Sequence, residues 1–341
     1  MRRIGSAVAA AVAVLAAACT TESSSRAGPE PLPPTTASAE LTSTPPTPTG
    51  RASGATPTAA PTAAPTPGPR EPAFSPARAM RTVRFLAGEV GPRLATGPAF
   101  RRAARWVEQR FESLGYAVSR QTFPVPAGDS WGVPVGAGTS ANVVARPRDL
   151  DPSAPYLLVG AHLDTVAVAP GAEDNASGVA VLLETARRWS AAPGEIPVVF
   201  VAFGGEEPRG DGDFDHHFGS LHYVAQMSPA ERRKLRGMVS LDRVGVGQVV
   251  PVASVLGTSV TVRAALVRSA GRLHIGTSVD PDNAASDHES FADAGLPAAR
   301  LGSTPYAAYH SAQDLPAVVD PEQLRRVGRV IWEWLSRHPA R

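Results

Sequence analysis

The chain has 341 residues and a formal charge of +2, from 33 Lys and Arg against 31 Asp and Glu. This balance removes the electrostatic case for nucleic acid, and runs of like charge stop at pairs such as Arg101-Arg102 and Arg325-Arg326. Cys19 is the one cysteine, so internal disulfides are excluded, and a chain of this length does not need them.

Residues 1–19 read as an export leader. Arg2 and Arg3 form a positive n-region, and Ala7 to Leu15 is an apolar stretch too short to span a bilayer as a mature helix. The run LAAAC ending at Cys19 resembles the lipobox of bacterial lipoproteins, although Leu15 stands one place further from the cysteine than usual. The resemblance implies lipidation of Cys19 and an outward-facing membrane lipoprotein. Plain secretory cleavage at Ala16 to Ala18 is the alternative. Thr20 to Ser75 is rich in Pro, Thr, Ala and Ser, with hardly a large apolar residue. Such a segment cannot bury enough surface to offset its ordering entropy, so a disordered tether reaching roughly 40 Å is expected. The folded domain is then residues 76–341.

Within that domain the pattern is α/β. Phe100 to Leu114 reads as a helix, with Ala104, Val107, Phe111 and Leu114 on one face, ended by Gly115-Tyr116. Ala117 to Phe123 alternates like a strand. Short apolar runs at Asn142 to Ala145, Tyr156 to Ala161, Pro197 to Phe203, Gly237 to Leu241 and Ala298 to Leu301 suit strands buried on both faces. Ser177 to Trp189 reads as a helix between them, and Pro321 to Arg337 as a last helix opened by proline. The alternation predicts a single doubly wound three-layer α/β/α domain with a mostly parallel or mixed sheet.

Polar groups cluster where these runs end. His162 and Asp164 follow YLLVGA two apart, so at strand spacing they share a face. A metal-bound histidine commonly gives its second N–H to a carboxylate, whereas a metal-free reading is a buried His–Asp pair. Asp174 opens DNASG before a helix, a place for a shared carboxylate or for an ordinary cap. Glu206 and Glu207 follow VVFVAF at a Gly-Gly turn, and Asp242 closes MVSL, where an uncompensated acid would be costly. His310 stands in the loop YHSAQD.

Together these fragments, with GPRLATG, SANVVA and SDHESF, resemble metallopeptidase family 28 of clan MH, the co-catalytic zinc exopeptidases. The resemblance implies two zinc ions, one on His162 and Asp242, the other on Glu207 and His310, with Asp174 bridging. It makes Glu206 the general base, gives Asp164 the task of orienting His162, and implies a cis peptide at Asp174–Asn175. The implied activity is aminopeptidase hydrolysis of a peptide or small aminoacyl substrate by a monomer held at the membrane by its lipid. A glutaminyl-peptide cyclase, a carboxypeptidase-like preference and a non-catalytic binding lipoprotein are the alternatives. One stretch departs from the family: PRGDGDFDHHF stands between Glu207 and Gly219-Ser220. Asp211, Asp213 and Asp215 follow part of a calcium-loop spacing, but His216 and His222 stand where that loop needs Gly and Glu, so an active-site rim is expected. Asp287 and His288 match a family motif near the crevice and are not expected to be zinc ligands.

Overall fold

The computed structural model describes residues 73–338 except 152, 153, 211, 213 and 214. The leader, Cys19 and the expected tether up to residue 72 lie outside the described residues, as do Asp211 and Asp213. Packing begins earlier than the composition suggested. Phe74 is buried, taking the space that Gly328 leaves open, and the Ser75 hydroxyl caps the helix α1 (Pro76–Val83). A π-helical segment, Arg84–Val90, and then α2 (Pro98–Ser113) follow. Proline at the first turn starts α2 two residues before the apolar periodicity does.

Eight strands among the described residues form one mixed sheet. In chain order these are β1 (Ala117–Val125), β4 (Gly138–Arg146), β5 (Tyr156–His162), β6 (Val198–Phe203), β7 (Leu235–Leu241), β8 (Val250–Ala253), β9 (Thr277–Asp280) and β10 (Ala298–Leu301). The short pair β2 (Gly128–Asp129) and β3 (Pro134–Val135) forms a separate ribbon. The order across the main sheet is β1-β4-β6-β5-β7-β10-β8-β9. Its centre, β6-β5-β7-β10, is parallel, and the antiparallel pairs lie outside it.

Two-sided burial is visible residue by residue in β6. Val198, Phe200 and Ala202 join one core, with residues of α1, α2, the helices α3 (Gly178–Ala191) and α6 (Thr261–Arg272), and the C-terminal helix. Val199, Val201 and Phe203 join a second core with Tyr223 of α4 (Phe218–Gln226) and Phe291 of α7 (His288–Asp293). The domain is therefore three layers, as the alternation predicts. The final helix, α8 (Pro321–Ser336), is capped by Asp320 and buries Leu324, Val327, Ile331 and Trp334. The short α5 (Pro229–Lys234) buries nothing and stands on its Ser228–Glu231 capping box. No helix among the described residues is long and apolar enough to cross a membrane.

Strand β5 carries the order in both directions, with β6 on one side and β7 on the other. At such a switch point the loops beyond the carboxyl ends of the strands part and leave a crevice. The close fit of β5 depends on Gly160, where a Cβ would overlap the Phe203 ring of β6. Gly160→Val is expected to destabilise the domain by about 1–3 kcal/mol through overpacking. Urea unfolding measures the loss, and Phe203→Leu in the same chain should restore part of it.

Candidate metal centre

All seven sequence-selected residues arrive at that crevice, and all are buried: His162, Asp164, Asp174, Glu206, Glu207, Asp242 and His310. His162 ends β5, Glu206 and Glu207 follow β6, Asp242 follows β7, and His310 lies in the loop after β10. Asp174 comes from a kinked segment before α3, and its peptide bond to Asn175 is cis. Gly302 lets the β10 loop pass against Asp242, because its φ of +112° and the closeness of the Asp242 carbonyl both forbid a side chain.

The geometry centres on Asp174. Its Oδ1 is 3.1 Å from His162 Nε2, and its Oδ2 is 3.2 Å from His310 Nε2. His162 Nε2 is also 3.5 Å from Asp242 Oδ1, and His310 Nε2 is 3.2 Å from Glu207 Oε2. Proximity alone groups the donors as His162, Glu206 and Asp242 or as His162, Asp174 and Glu207, all atoms within 4.8 Å. The two oxygens of Asp174, facing different imidazoles, divide the cluster differently, into a His162 side and a His310 side.

Five carboxylates buried together face two histidines, an arrangement that needs cationic charge. Burial and then Asp174 push Glu207 up to about 8. Burial works against protonated His310, but its hydrogen bonds to Asp174 and Glu207 prevail and raise it to about 10. His162 likewise rises well above its ordinary value, with Glu206, Asp174 and Asp242 overcoming the effect of burial. Burial would raise Asp174 and Asp242, yet the imidazoles hold the first below its usual range, and Arg300 and His162 hold the second there. A bound cation would relieve these opposed shifts. The open valences fit a metal as well: neither His162 ring nitrogen, nor Glu207 Oε1, nor Asp242 Oδ1 has a partner in hydrogen-bond geometry. Imidazole nitrogen and carboxylate oxygen without sulfur suit divalent zinc.

A surrounding ring fixes these donors, and most of it was not foreseen from the sequence. Asp164 lies 3.8 Å from His162 Nδ1, beyond a hydrogen bond, so its expected grip on that ring is electrostatic. Its hydrogen bonds come from the backbone N–H groups of Glu206 (3.2 Å) and Glu207 (3.3 Å). Asp314 accepts from the N–H of Glu173 and Asp174 and from the Tyr306 hydroxyl. Glu173 accepts from Gly245 and Val246, just past Asp242. Arg300 Nη2 lies 2.9 Å from Asp242 Oδ2, leaving Oδ1 to the cluster. His288 turns away and meets the Asn283 carbonyl at 2.8 Å.

A crevice of about 530 Å³ opens over the donors, with Trp131, His216, Arg243, Asn283, Glu289 and Tyr309 among its walls. Volume does not single it out, since a hollow of about 520 Å³ lies against Arg78, Phe85 and Trp106. Convergent buried donors do. His216 on the wall agrees with the expected rim role for the stretch after Glu207.

Arg93 ties the loop from Leu163 to Gly171 in place. It is fully buried and donates to the carbonyls of Leu86, Gly91, Leu163, Pro170 and Gly171. Arg93→Met should lower unfolding stability by at least about 3 kcal/mol, because several buried carbonyls lose their donor at once. Arg93→Lys should recover little, lacking the planar fork. Denaturant titration of the three proteins checks both expectations.

The model of Peptidase family M28 matches residues 142–335. The chain is 29% identical over 204 residues to Aminopeptidase YwaD of Bacillus subtilis, covering 57% of this chain and 43% of that protein. It is 34% identical over 120 residues to Probable lipoprotein aminopeptidase LpqL of Mycobacterium tuberculosis, covering 34% of this chain and 21% of that one. In fold it is similar to BSAP, a zinc aminopeptidase from Bacillus subtilis, with a TM-score of 0.69, 20% identity, and coverage of 80% of this chain and 98% of that one. The chain spans half or less of the length of the curated relatives it matches. With more than half of its residues matched and the buried donor cluster inside the matched region, the chain belongs to Peptidase family M28.

Proposed function

We propose that the protein is a zinc-dependent aminopeptidase working with two zinc ions. The observation that carries this reading is Asp174, whose two oxygens face two separate imidazoles. His162 and Asp242 would hold one ion, Glu207 and His310 the other, and Asp174 both. Asp164 sets the backbone of the Glu206-Glu207 turn and sits beside His162. Zinc bound there supplies Lewis acidity and lowers the pKa of a coordinated water toward about 7.

Glu206 is the general base in this reading. Its Oε2 turns toward the cluster, 3.8 Å from His162 Nε2, without closing a bidentate grip on the donors. Burial tends to raise its pKa, but His162 and His217 outweigh that and lower it. It takes the proton of the attacking water and returns it to the leaving amine. Preference for a peptide amino terminus is supported by the named activity of the relatives and by an acidic group on the crevice wall, Asp282. An α-ammonium group is the complement of that charge.

Glu206→Gln keeps size and removes the proton acceptor, so turnover of an aminoacyl substrate should fall at least about 10²-fold while both zinc ions stay bound. Glu207→Gln should lose one zinc and regain part of its activity in excess metal. Metal analysis beside steady-state kinetics reads both. Zinc loss from Glu206→Gln alone would reverse the two roles, and full activity in verified metal-free enzyme would end the proposal. Pyroglutamate formation without peptide hydrolysis would instead assign a cyclase.

We propose further that the domain is exported and anchored through lipid on Cys19, with residues 20–72 as its tether. The leader pattern carries this, and LpqL is a relative named as a lipoprotein aminopeptidase. Cys19→Ala should move the protein from the membrane fraction to the soluble one, because the acyl chains supply the anchoring energy. Unlipidated wild-type protein in the medium would show a plain secretory leader.

A further inference from the structure

The stretch between Glu207 and α4 delivers a histidine to the proposed base. His217 Nε2 lies 3.2 Å from Glu206 Oε1, and its Nδ1 lies 2.9 Å from Glu289 Oε2 at the start of α7. The loop is fastened to the same turn through its backbone. The His217 N–H donates to the Glu206 carbonyl at 2.9 Å, and the Phe218 N–H donates to Gly205 at 2.8 Å. His217 is 4% exposed and takes a left-handed φ of +57°, which a histidine adopts here under the constraint of those contacts.

Burial lowers the pKa of His217, but its hydrogen bonds to Glu206 and Glu289 prevail and push it up to about 10. Each ring nitrogen thus faces a carboxylate oxygen, Nε2 that of Glu206 and Nδ1 that of Glu289. The result divides the Glu206 carboxylate. Oε1 is held from the insertion side, and Oε2 is left facing the donor cluster.

We propose that His217 is a positioning residue that locks the Glu206 carboxylate in its working orientation, with Glu289 holding the imidazole from behind. This rests on Glu206 being the general base. A glutamate side chain has several free torsions, and a base displaced by an ångström costs up to about 10²-fold in rate. The turn after β6 fixes the Glu206 backbone but not its far end. His217 supplies that second point of attachment.

The test uses the full-length zinc enzyme and a small aminoacyl substrate. His217→Ala should lower kcat about 10- to 100-fold with KM and zinc content unchanged, and added imidazole should restore part of the rate. His217→Gln, which keeps a donor, should lose less. Glu289→Gln should retain more activity than Glu289→Ala, and this pair decides the matter if His217→Ala does not fold. In a Glu206→Gln background, His217→Ala should add little, since the group it positions no longer acts. Unchanged kcat in His217→Ala, full additivity with Glu206→Gln, or loss of a third zinc equivalent would overturn the proposal. The last outcome would make His216, His217 and Glu289, whose donor atoms lie within 4.8 Å, a metal site instead. Near wild-type activity in Glu206→Gln alone would reject the base assignment rather than His217.

Discussion

Five acidic side chains share one buried crevice with two imidazoles, and the rest of the structure is arranged to make that tolerable. Ionised carboxylates at such depth repel one another and lose their hydration, so each oxygen needs a donor or a cation. Asp242 gives one oxygen to Arg300, Asp164 gives both to backbone N–H groups, and Asp174 faces an imidazole with each. Glu207 Oε1 and Asp242 Oδ1, both left without a hydrogen-bond partner, belong to residues the proposed function gives to metal. The satisfied oxygens therefore define the site as much as the unsatisfied ones.

The sheet makes this possible by its order. Strands β6, β5 and β7 run parallel, so residues far apart in sequence emerge at one edge: His162, the Glu206-Glu207 pair and Asp242. Burial on both faces holds those strand ends in fixed register, as β6 shows by feeding alternate residues into two cores. A rigid frame of this kind holds ligands without the ordering cost that a loop-built site would incur. Asp174 and His310 come from loops, and both have extra fastening. Asp314 accepts from the Asp174 N–H, and the aromatic rings of Tyr309 and Trp131 flank His310.

The parts legible in the sequence share a physical cause. Continuous apolar runs mark strands buried on two faces, and a polar residue at the end of such a run is costly enough to need a reason. That logic found the central strands, the helices α2, α3 and α8, and the polar groups at strand ends, His162, Asp164, Glu206, Glu207 and Asp242; Asp174 and His310, which end no apolar run, came only through the family resemblance. It missed β9, which is mostly exposed, and α5, which buries nothing, because neither carries an apolar period. It also missed Arg93, Glu173 and Asp314. Their partners are backbone groups, and the bond from the Glu173 N–H to Asp314 joins positions 141 residues apart. No local pattern encodes such a contact. Asp164 was half legible: its place beside His162 followed from strand spacing, but its bonds to the Glu206 and Glu207 backbone depend on how β5 and β6 pair.

Two kinds of support meet at Glu206, and they differ in what they can control. The hydrogen bonds from its own N–H to Asp164 and from the His217 N–H to its carbonyl fix where the residue begins. They leave its terminal torsions free, and the proton is transferred at the terminus. In the proposed function Glu207 would have its far end held by metal, whereas a base cannot be held that way without ceasing to be one. As the proposed base, Glu206 would need a partner for its carboxylate that is neither metal nor water. In this chain the stretch between Glu207 and α4 places an imidazole at that oxygen.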